Sequence, residues 1–258
     1  MKENGILFHA KHAFMPNLLG YCGPDERGRI QQGLEEGKSG EDLVKALQKF
    51  EAAYPFLKLI AKSTRRDVFD YSVPEAYWIG NGLLGKVSGP DFYAFSHHDL
   101  KRRDNRVVKD LFRKLDGAAP PHHSFYVMST YATSAVPDGP SLSNESAKKV
   151  GELVDNCRIS WGRVKQVQKG ELQVEFRPIV VENGKLELAP PKIKIVHYNP
   201  DVRPFGAVSK GDVVSLHWDY ACDILTSRQV RNIAKYTTAD LALVNRFLSF
   251  KAAGRGSS

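Results

Sequence analysis

The sequence lacks the long apolar runs that membrane insertion requires. It contains no stretch of about eighteen consecutive apolar residues, the minimum for a helix that spans a bilayer. The first residues, Met1 to Gly5, also lack the apolar region of a secretion signal. We therefore expect a cytoplasmic protein that does not act at a membrane.

Cysteine is scarce, with Cys22, Cys157 and Cys222 as the three cysteines among 258 residues. Their number is odd and they lie far apart, in a chain that we expect to be cytoplasmic. These features argue against a disulfide framework, so the thiols are expected to be reduced.

Common catalytic motifs are missing as well. The sequence has no Gly-x-Ser-x-Gly and no complete P-loop. It also has no His-Glu-x-x-His or Cys-x-x-Cys spacing of the kind that holds zinc. No reaction class is therefore indicated by a local motif, and whether the protein is an enzyme stays open.

The chain is basic, with a formal net charge of +8 and a pI near 9.3. Such a charge is compatible with nucleic acid or an acidic partner. The basic residues are scattered, however, and form only short clusters at Arg65-Arg66 and at 101–103. We therefore do not expect nucleic acid to be the main partner.

Hydrophobic periodicity divides the chain into two parts. Apolar residues recur at helical spacing through the first part, up to an amphipathic segment at 144–156. Alternating apolar residues then begin at Trp161 and continue through 172–176, 186–188, 193–196 and 213–218. The turn at 182–185, Glu-Asn-Gly-Lys, is a strong hairpin signal. Two further helices are expected, one starting at Thr226 or Ser227 and the other at Thr238.

These patterns predict an α+β protein. Residues 1–155 would form an all-α domain, and residues 156–258 a small closed or partly open β-barrel followed by C-terminal helices.

Two motifs in the second part share a resemblance. Cys157 stands five residues before Gly162, which is followed by Arg163 and Val164; later, the segment 211–217 begins Gly-Asp and ends in His217. This combination resembles the HypC/HupF family of [NiFe]-hydrogenase maturation chaperones. The chain departs from the family pattern because Cys157 is internal, Trp161 replaces a proline, and the insert between the motifs is longer. The whole chain is also similar to an uncharacterised prokaryotic family with a helical N-terminal part.

The resemblance implies a HypC-like barrel of OB type and a function. In that family the cysteine and the histidine hold iron while cyanide and carbon monoxide are attached, so Cys157 and His217 would be the metal ligands here and Fe(CN)2CO the bound group. Hydrogenase maturation proteins or the hydrogenase large subunit would be the partners. A thiolate and an imidazole suit Fe(II) or Zn rather than Mg or Ca. Asp212 and Asp219 could orient His217 by hydrogen bonds.

The helical part offers its own candidates. Pro120-Pro121 precede His122 and His123 at the start of an apolar helix, where a neutral histidine could bind metal or act as a base. Glu75 and Cys22 are further candidates. Each has a structural alternative: capping or core packing for the histidines, a capping box with Ser72 for Glu75, and a buried thiol for Cys22.

Three hypotheses follow. The first is a hydrogenase-maturation accessory protein whose helical domain docks a partner or supplies a ligand. The second is a metal-dependent enzyme with its site at His122, His123, Glu75 and Cys22. The third is a nucleic-acid-binding barrel, with Trp161, Phe176 and Trp218 stacking on bases.

Overall fold

The computed structural model describes residues 4–98, 119–134, 143–202 and 205–253. The predicted basic cluster at 101–103 lies outside these residues. The described α-helices are α1 (Gly5–Leu18), α2 (Arg27–Glu36), α3 (Glu41–Gln48), α4 (Tyr54–Thr64), α5 (Ser72–Trp78), α6 (Gly89–His98), α7 (His123–Ser134), α8 (Asn144–Cys157) and α9 (Ser227–Ala253). The strands are β1 (Ser160–Gln168), β2 (Glu171–Phe176), β3 (Ile179–Glu182), β4 (Lys185–Leu188), β5 (Lys192–His197), β6 (Val213–His217) and β7 (Tyr220–Ile224).

Helix α1 lies at the centre of the molecule. Ten of its fourteen residues are buried, on every side of the helix. It packs against α2, α3 and α5 and also against β6 and β7. Lys11 of α1 forms a 2.8 Å ion pair with Asp223 of β7, and both side chains are buried. Helix α1 therefore links the helical part to the barrel.

Five strands form a closed barrel in the order β1-β2-β5-β7-β6. Their pairings are antiparallel except for β5 with β7, which are parallel and share the pair His197 and Tyr220. The remaining strands, β3 and β4, form a separate hairpin. In its turn, Asn183 and Gly184 both have positive φ angles, 49° and 74°. This is the conformation that the Asn-Gly signal predicts, and the hairpin prediction is confirmed.

The protein is thus α+β, with a five-stranded barrel in its C-terminal part. One apolar core fills the barrel, built on Val164, Leu172 and Val214. A larger core joins the helices and continues past residue 155 to include Ile159 and Leu225. The division into two domains at 155 stays a prediction.

The expectation of two C-terminal helices is wrong, because α9 is one continuous helix through residue 253. Its range contains neither proline nor glycine, the residues that end helices most readily. The hydroxyl of Thr238, where the second helix was expected to begin, donates to the carbonyl oxygen of Ala234 at 2.9 Å and stays within the helix. The helix starts where expected, at Thr226 and Ser227, and a capping box opens it, since Thr226 and Gln229 bond each other's backbone N–H.

None of the helices in the described ranges is both long and apolar enough to cross a membrane.

Candidate metal centre

Three potential metal ligands meet where the helices contact the barrel. A ligand atom of His123, of Cys157 and of His217 all lie within 4.8 Å of one another. His123 opens α7, Cys157 ends α8 and His217 ends β6. Both histidines are buried and the cysteine is half-buried. The predicted pair is brought together, and the helical part adds a third group.

The tautomer of His217 follows from its hydrogen bond. The Nδ1–H group donates to the carbonyl oxygen of His12 at 2.7 Å, so the lone pair resides on Nε2. That Nε2 atom is buried and has no hydrogen-bond partner among the described residues. Burial lowers the pKa of His217 to about 4, so the ring is neutral at pH 7. A neutral imidazole oriented by a carbonyl, with its other nitrogen unpartnered, fits a metal ligand.

His123 is held directly against the cysteine. Its Nε2–H group donates to the carbonyl oxygen of Cys157 at 2.9 Å, and its Nδ1 accepts from the Tyr77 hydroxyl at 3.2 Å. Burial, followed by the nearby His217, lowers the pKa of His123 well below its usual value. This ring is also neutral, so it can offer a lone pair.

Helix α8 delivers Cys157 at its last residue. The helix is amphipathic, and Ser143 caps its start by accepting from the backbone N–H of Ser146. Gly151 lets it approach β3, because a Cβ atom there would lie 2.6 Å from Val181. The close packing of α8 on β3 fixes where the thiol emerges.

Four histidines surround the buried ring of Trp78. The ring centroids of His9, His12, His123 and His217 lie 4.6–5.8 Å from that of Trp78. His9 Nδ1 accepts from the indole N–H at 2.8 Å, and burial lowers the pKa of His9 and of His12 to about 3. The metal candidates thus lie in an aromatic, uncharged surrounding.

The sequence analysis missed His9 and His12. They could have been found from their positions three residues apart in a largely apolar helix, because this spacing places both on one face.

The four candidates of the helical part do not form one site. Among the described residues, the group of potential metal ligands includes His123 but not His122, Glu75 or Cys22. His122 faces α9 instead, where its Nδ1 lies 2.6 Å from Asp240 Oδ2 and both side chains are fully buried. Cys22 lines an open cavity of about 660 Å³.

The capping box predicted for Glu75 is wrong. Helix α5 has no side-chain cap, and the Ser72 hydroxyl donates to Asp70. The buried Glu75 carboxylate instead accepts from Asn81 Nδ2 and from Arg228 Nη2, each at 2.8 Å. Its observed contacts tie α5 to α9.

The expected hydrogen bonds from Asp212 and Asp219 to His217 are absent from the described contacts. Asp212 accepts from the backbone N–H of Ser209, and Asp219 pairs with Lys194 at 2.7 Å. The carbonyl oxygen of His12 is the group that orients His217.

The aromatic residues of the barrel are only partly available to a ligand. Phe176 is buried. Trp218 stacks on Tyr21, with ring centroids 4.3 Å apart and planes 2° from parallel. Trp161 lines a cavity of about 240 Å³ beside Arg163 and Arg177. The nucleic-acid alternative stays a prediction.

The fold and the site define a helical protein with a small barrel and a Cys-His-His group, two buried histidines and a half-buried cysteine, at the junction. The chain belongs to the family of unknown function DUF6390, whose model matches residues 1–251. Comparisons with curated proteins and with solved structures found no match.

Proposed function

We propose that the protein is a [NiFe]-hydrogenase maturation accessory protein that handles the iron centre through Cys157 and His217. The observation that carries this proposal is the meeting of these two residues within 4.8 Å, although they come from separate motifs. Both stand at the positions where the HypC/HupF resemblance expects ligands to iron. The same geometry supports a HypC-like identity for the barrel.

The arrangement of the two motifs also supports the proposal. Strand β1, which begins three residues after Cys157, pairs directly in the barrel with strand β6, which ends at His217. The backbone N–H of Val164 donates to the carbonyl oxygen of Asp212, and that of Gly211 donates to the carbonyl oxygen of Val164. Gly211 has a φ of 102°, a conformation that glycine adopts readily and other residues rarely do. The matching glycine, aspartate and valine therefore have defined roles in the fold.

The chemistry of the donor atoms suits an iron centre that carries cyanide and carbon monoxide. A thiolate and a neutral imidazole are borderline-soft donors that favour Fe(II) over Mg or Ca. Because His217 is already neutral, binding through Nε2 releases no proton from the ring. A small protein donor set leaves coordination positions for cyanide and carbon monoxide, and allows the iron to be passed on to a maturation partner or to the hydrogenase large subunit.

The test is metal analysis and infrared spectroscopy on protein purified anaerobically after co-expression with hydrogenase maturation proteins. Wild type is compared with Cys157→Ala, and Cys22→Ala serves as a matched cysteine control outside the site. We expect iron with cyanide and carbon monoxide stretches in wild type and in Cys22→Ala, and their loss in Cys157→Ala. Wild-type protein without iron and without these bands would refute the proposal.

A metal-dependent enzyme is the second candidate. The observation that favours it is the buried pair of His122 and Asp240, in which His122 Nε2 and Asp240 Oδ1 have no partner among the described residues. Turnover that survives Cys157→Ala/His217→Ala but is lost in His122→Ala would favour the enzyme.

A further inference from the structure

The helical part contributes a donor that the HypC/HupF resemblance does not supply. The ligand pair of that resemblance lies at the ends of α8 and β6. His123 comes from α7, which packs on α8 and α9, and its ligand nitrogen shares the 4.8 Å group with the other two. We propose that His123 is a third protein ligand, so that the site takes a divalent borderline metal such as Fe2+, Co2+ or Zn2+ in a Cys-His-His set. This inference rests on the proposed function, whose metal site it extends.

The distances permit one ion to be shared. Metal–nitrogen and metal–sulfur bonds of about 2.0–2.3 Å place two donors of a tetrahedral ion about 3.5 Å apart. The three atoms here are separated by at most 4.8 Å, so closure on an ion needs movements of about 1 Å or slightly more. Rotation about side-chain bonds provides movements of this size.

One ring nitrogen of His123, like one of His217, bonds a backbone carbonyl oxygen. Its Nε2–H group is fixed by a carbonyl oxygen, which leaves the lone pair on Nδ1. The Tyr77 hydroxyl covers that lone pair at 3.2 Å, a long hydrogen bond for an O–H donor. A metal ion bound at Nδ1 would have to displace the hydroxyl of the buried Tyr77 from this nitrogen. The carbonyl that fixes the ring belongs to Cys157, so the third ligand is oriented by the backbone of another ligand.

The origin of His123 gives it a specific role. The metal would join α7 to the end of α8 and to the end of β6, the strand that precedes β7. His123 would thus attach the metal to the helical part of the protein as well as to the barrel.

Cobalt(II) tests this directly, because four-coordinate Co2+ gives strong visible d–d bands and a thiolate ligand gives a near-ultraviolet charge-transfer band. Metal-free, full-length protein is titrated with Co2+ under anaerobic conditions as wild type, His123→Gln, Cys157→Ala and the control His197→Gln, whose side chain is 62% exposed on β5. We expect both bands in wild type and in His197→Gln. His123→Gln should keep the charge-transfer band, lose most d–d intensity and bind about tenfold to a hundredfold more weakly, since the loss of supporting interactions alone has this effect at known sites.

The outcomes separate the two proposals. If His123→Gln matches wild type in affinity and d–d intensity while Cys157→Ala loses the charge-transfer band, the third ligand is refuted and the Cys157 site stands. Absence of Co2+ binding by wild type refutes both. His123→Gly is the second variant, for use if the glutamine variant does not fold. Added imidazole should restore its d–d bands. If these bands stay absent in a protein with wild-type circular dichroism, the inference is overturned.

Discussion

The backbone N–H of Trp218 donates a 2.8 Å hydrogen bond to the carbonyl oxygen of Asn156. Trp218 follows His217 and Asn156 precedes Cys157, so one bond joins the two chain segments that carry the predicted ligands. Trp218 also has a φ of 57°, which is uncommon for a residue with a side chain. The end of α8 and the turn after β6 are therefore positioned as one unit.

The buried histidines predict strong sensitivity to acid. The pKa values of His9 and His12 are lowered to about 3 and that of His217 to about 4, from 6.5. Below pH 6.5 the unfolded chain binds protons that the folded chain does not, so stability is lost as the pH falls. Each histidine lowers the free energy of unfolding by about 1.4 kcal/mol per pH unit, or about 6 kcal/mol for the three between pH 6.5 and 5.

This loss of free energy between pH 6.5 and 5 is comparable with the total free energy of unfolding of many domains. We expect metal-free protein to unfold near pH 5 when followed by circular dichroism. The control His197→Gln, at an exposed position, should unfold at the same pH. A wild-type midpoint below pH 4 would contradict the prediction.

The ion pair between Lys11 and Asp223 predicts a large loss on removal of one partner. Both side chains are about 95% buried, so Lys11→Met removes the charged partner of a buried carboxylate, which keeps the hydrogen bond from the backbone N–H of Ile224. The free energy of unfolding should fall by about 3–5 kcal/mol in urea titrations. Lys149→Met, which breaks an exposed pair with Glu145, should cost less than about 1 kcal/mol. Equal losses in the two variants would show that burial of the pair is unimportant.

Gly80 predicts a site that does not tolerate a side chain. Its φ is 91°, and a Cβ atom would lie 2.2 Å from the ring of Tyr236, whose hydroxyl bonds the carbonyl oxygen of Asn81. Gly80→Ala should lower the free energy of unfolding by about 2 kcal/mol or more, from backbone strain and overpacking. Gly82→Ala is the matched control, because nothing lies within 4 Å of its Cβ position. An unchanged free energy of unfolding in Gly80→Ala would mean that the Tyr236 ring moves aside without cost.

Glu75 is predicted to be structural. Glu75→Ala removes the acceptor for Arg228 and Asn81 and should destabilise the protein by about 2 kcal/mol. Co2+ affinity of the folded variant should equal that of wild type, measured by the charge-transfer band. Weaker Co2+ binding at unchanged stability would return Glu75 to the list of ligand or catalytic candidates.

Local signals predicted much of the fold. The Asn-Gly turn between β3 and β4 and the helix start at Thr226 or Ser227 were both predicted, because each depends on residues close in sequence. Strand β7 was missed, since it is short and its partners are a strand across a tight turn and a single residue of β5. The continuity of α9 was also missed, because two threonines in its middle lower helix propensity without ending the helix.

The candidate site was predicted only in part, for a topological reason. Cys157 and His217 were identified through the resemblance of their motifs. His123 was named but assigned to a site in the helical part, because nothing in the sequence shows that α7 starts beside the end of α8. The hydrogen bond from His123 to the Cys157 carbonyl oxygen is a tertiary contact between residues 34 positions apart.

The pairing of β5 with β7 through a single residue pair leaves the barrel with a seam next to the metal candidates. Across that seam the Lys194 ammonium reaches the Asp219 carboxylate at 2.7 Å and the side-chain oxygen of Asn156 at 3.3 Å. The Lys194 side chain connects the two strands there, in place of a continuous ladder of backbone hydrogen bonds. One side of the barrel beside His217 therefore depends on a partly exposed ion pair and on a lysine that also lies over the core ring of Phe176.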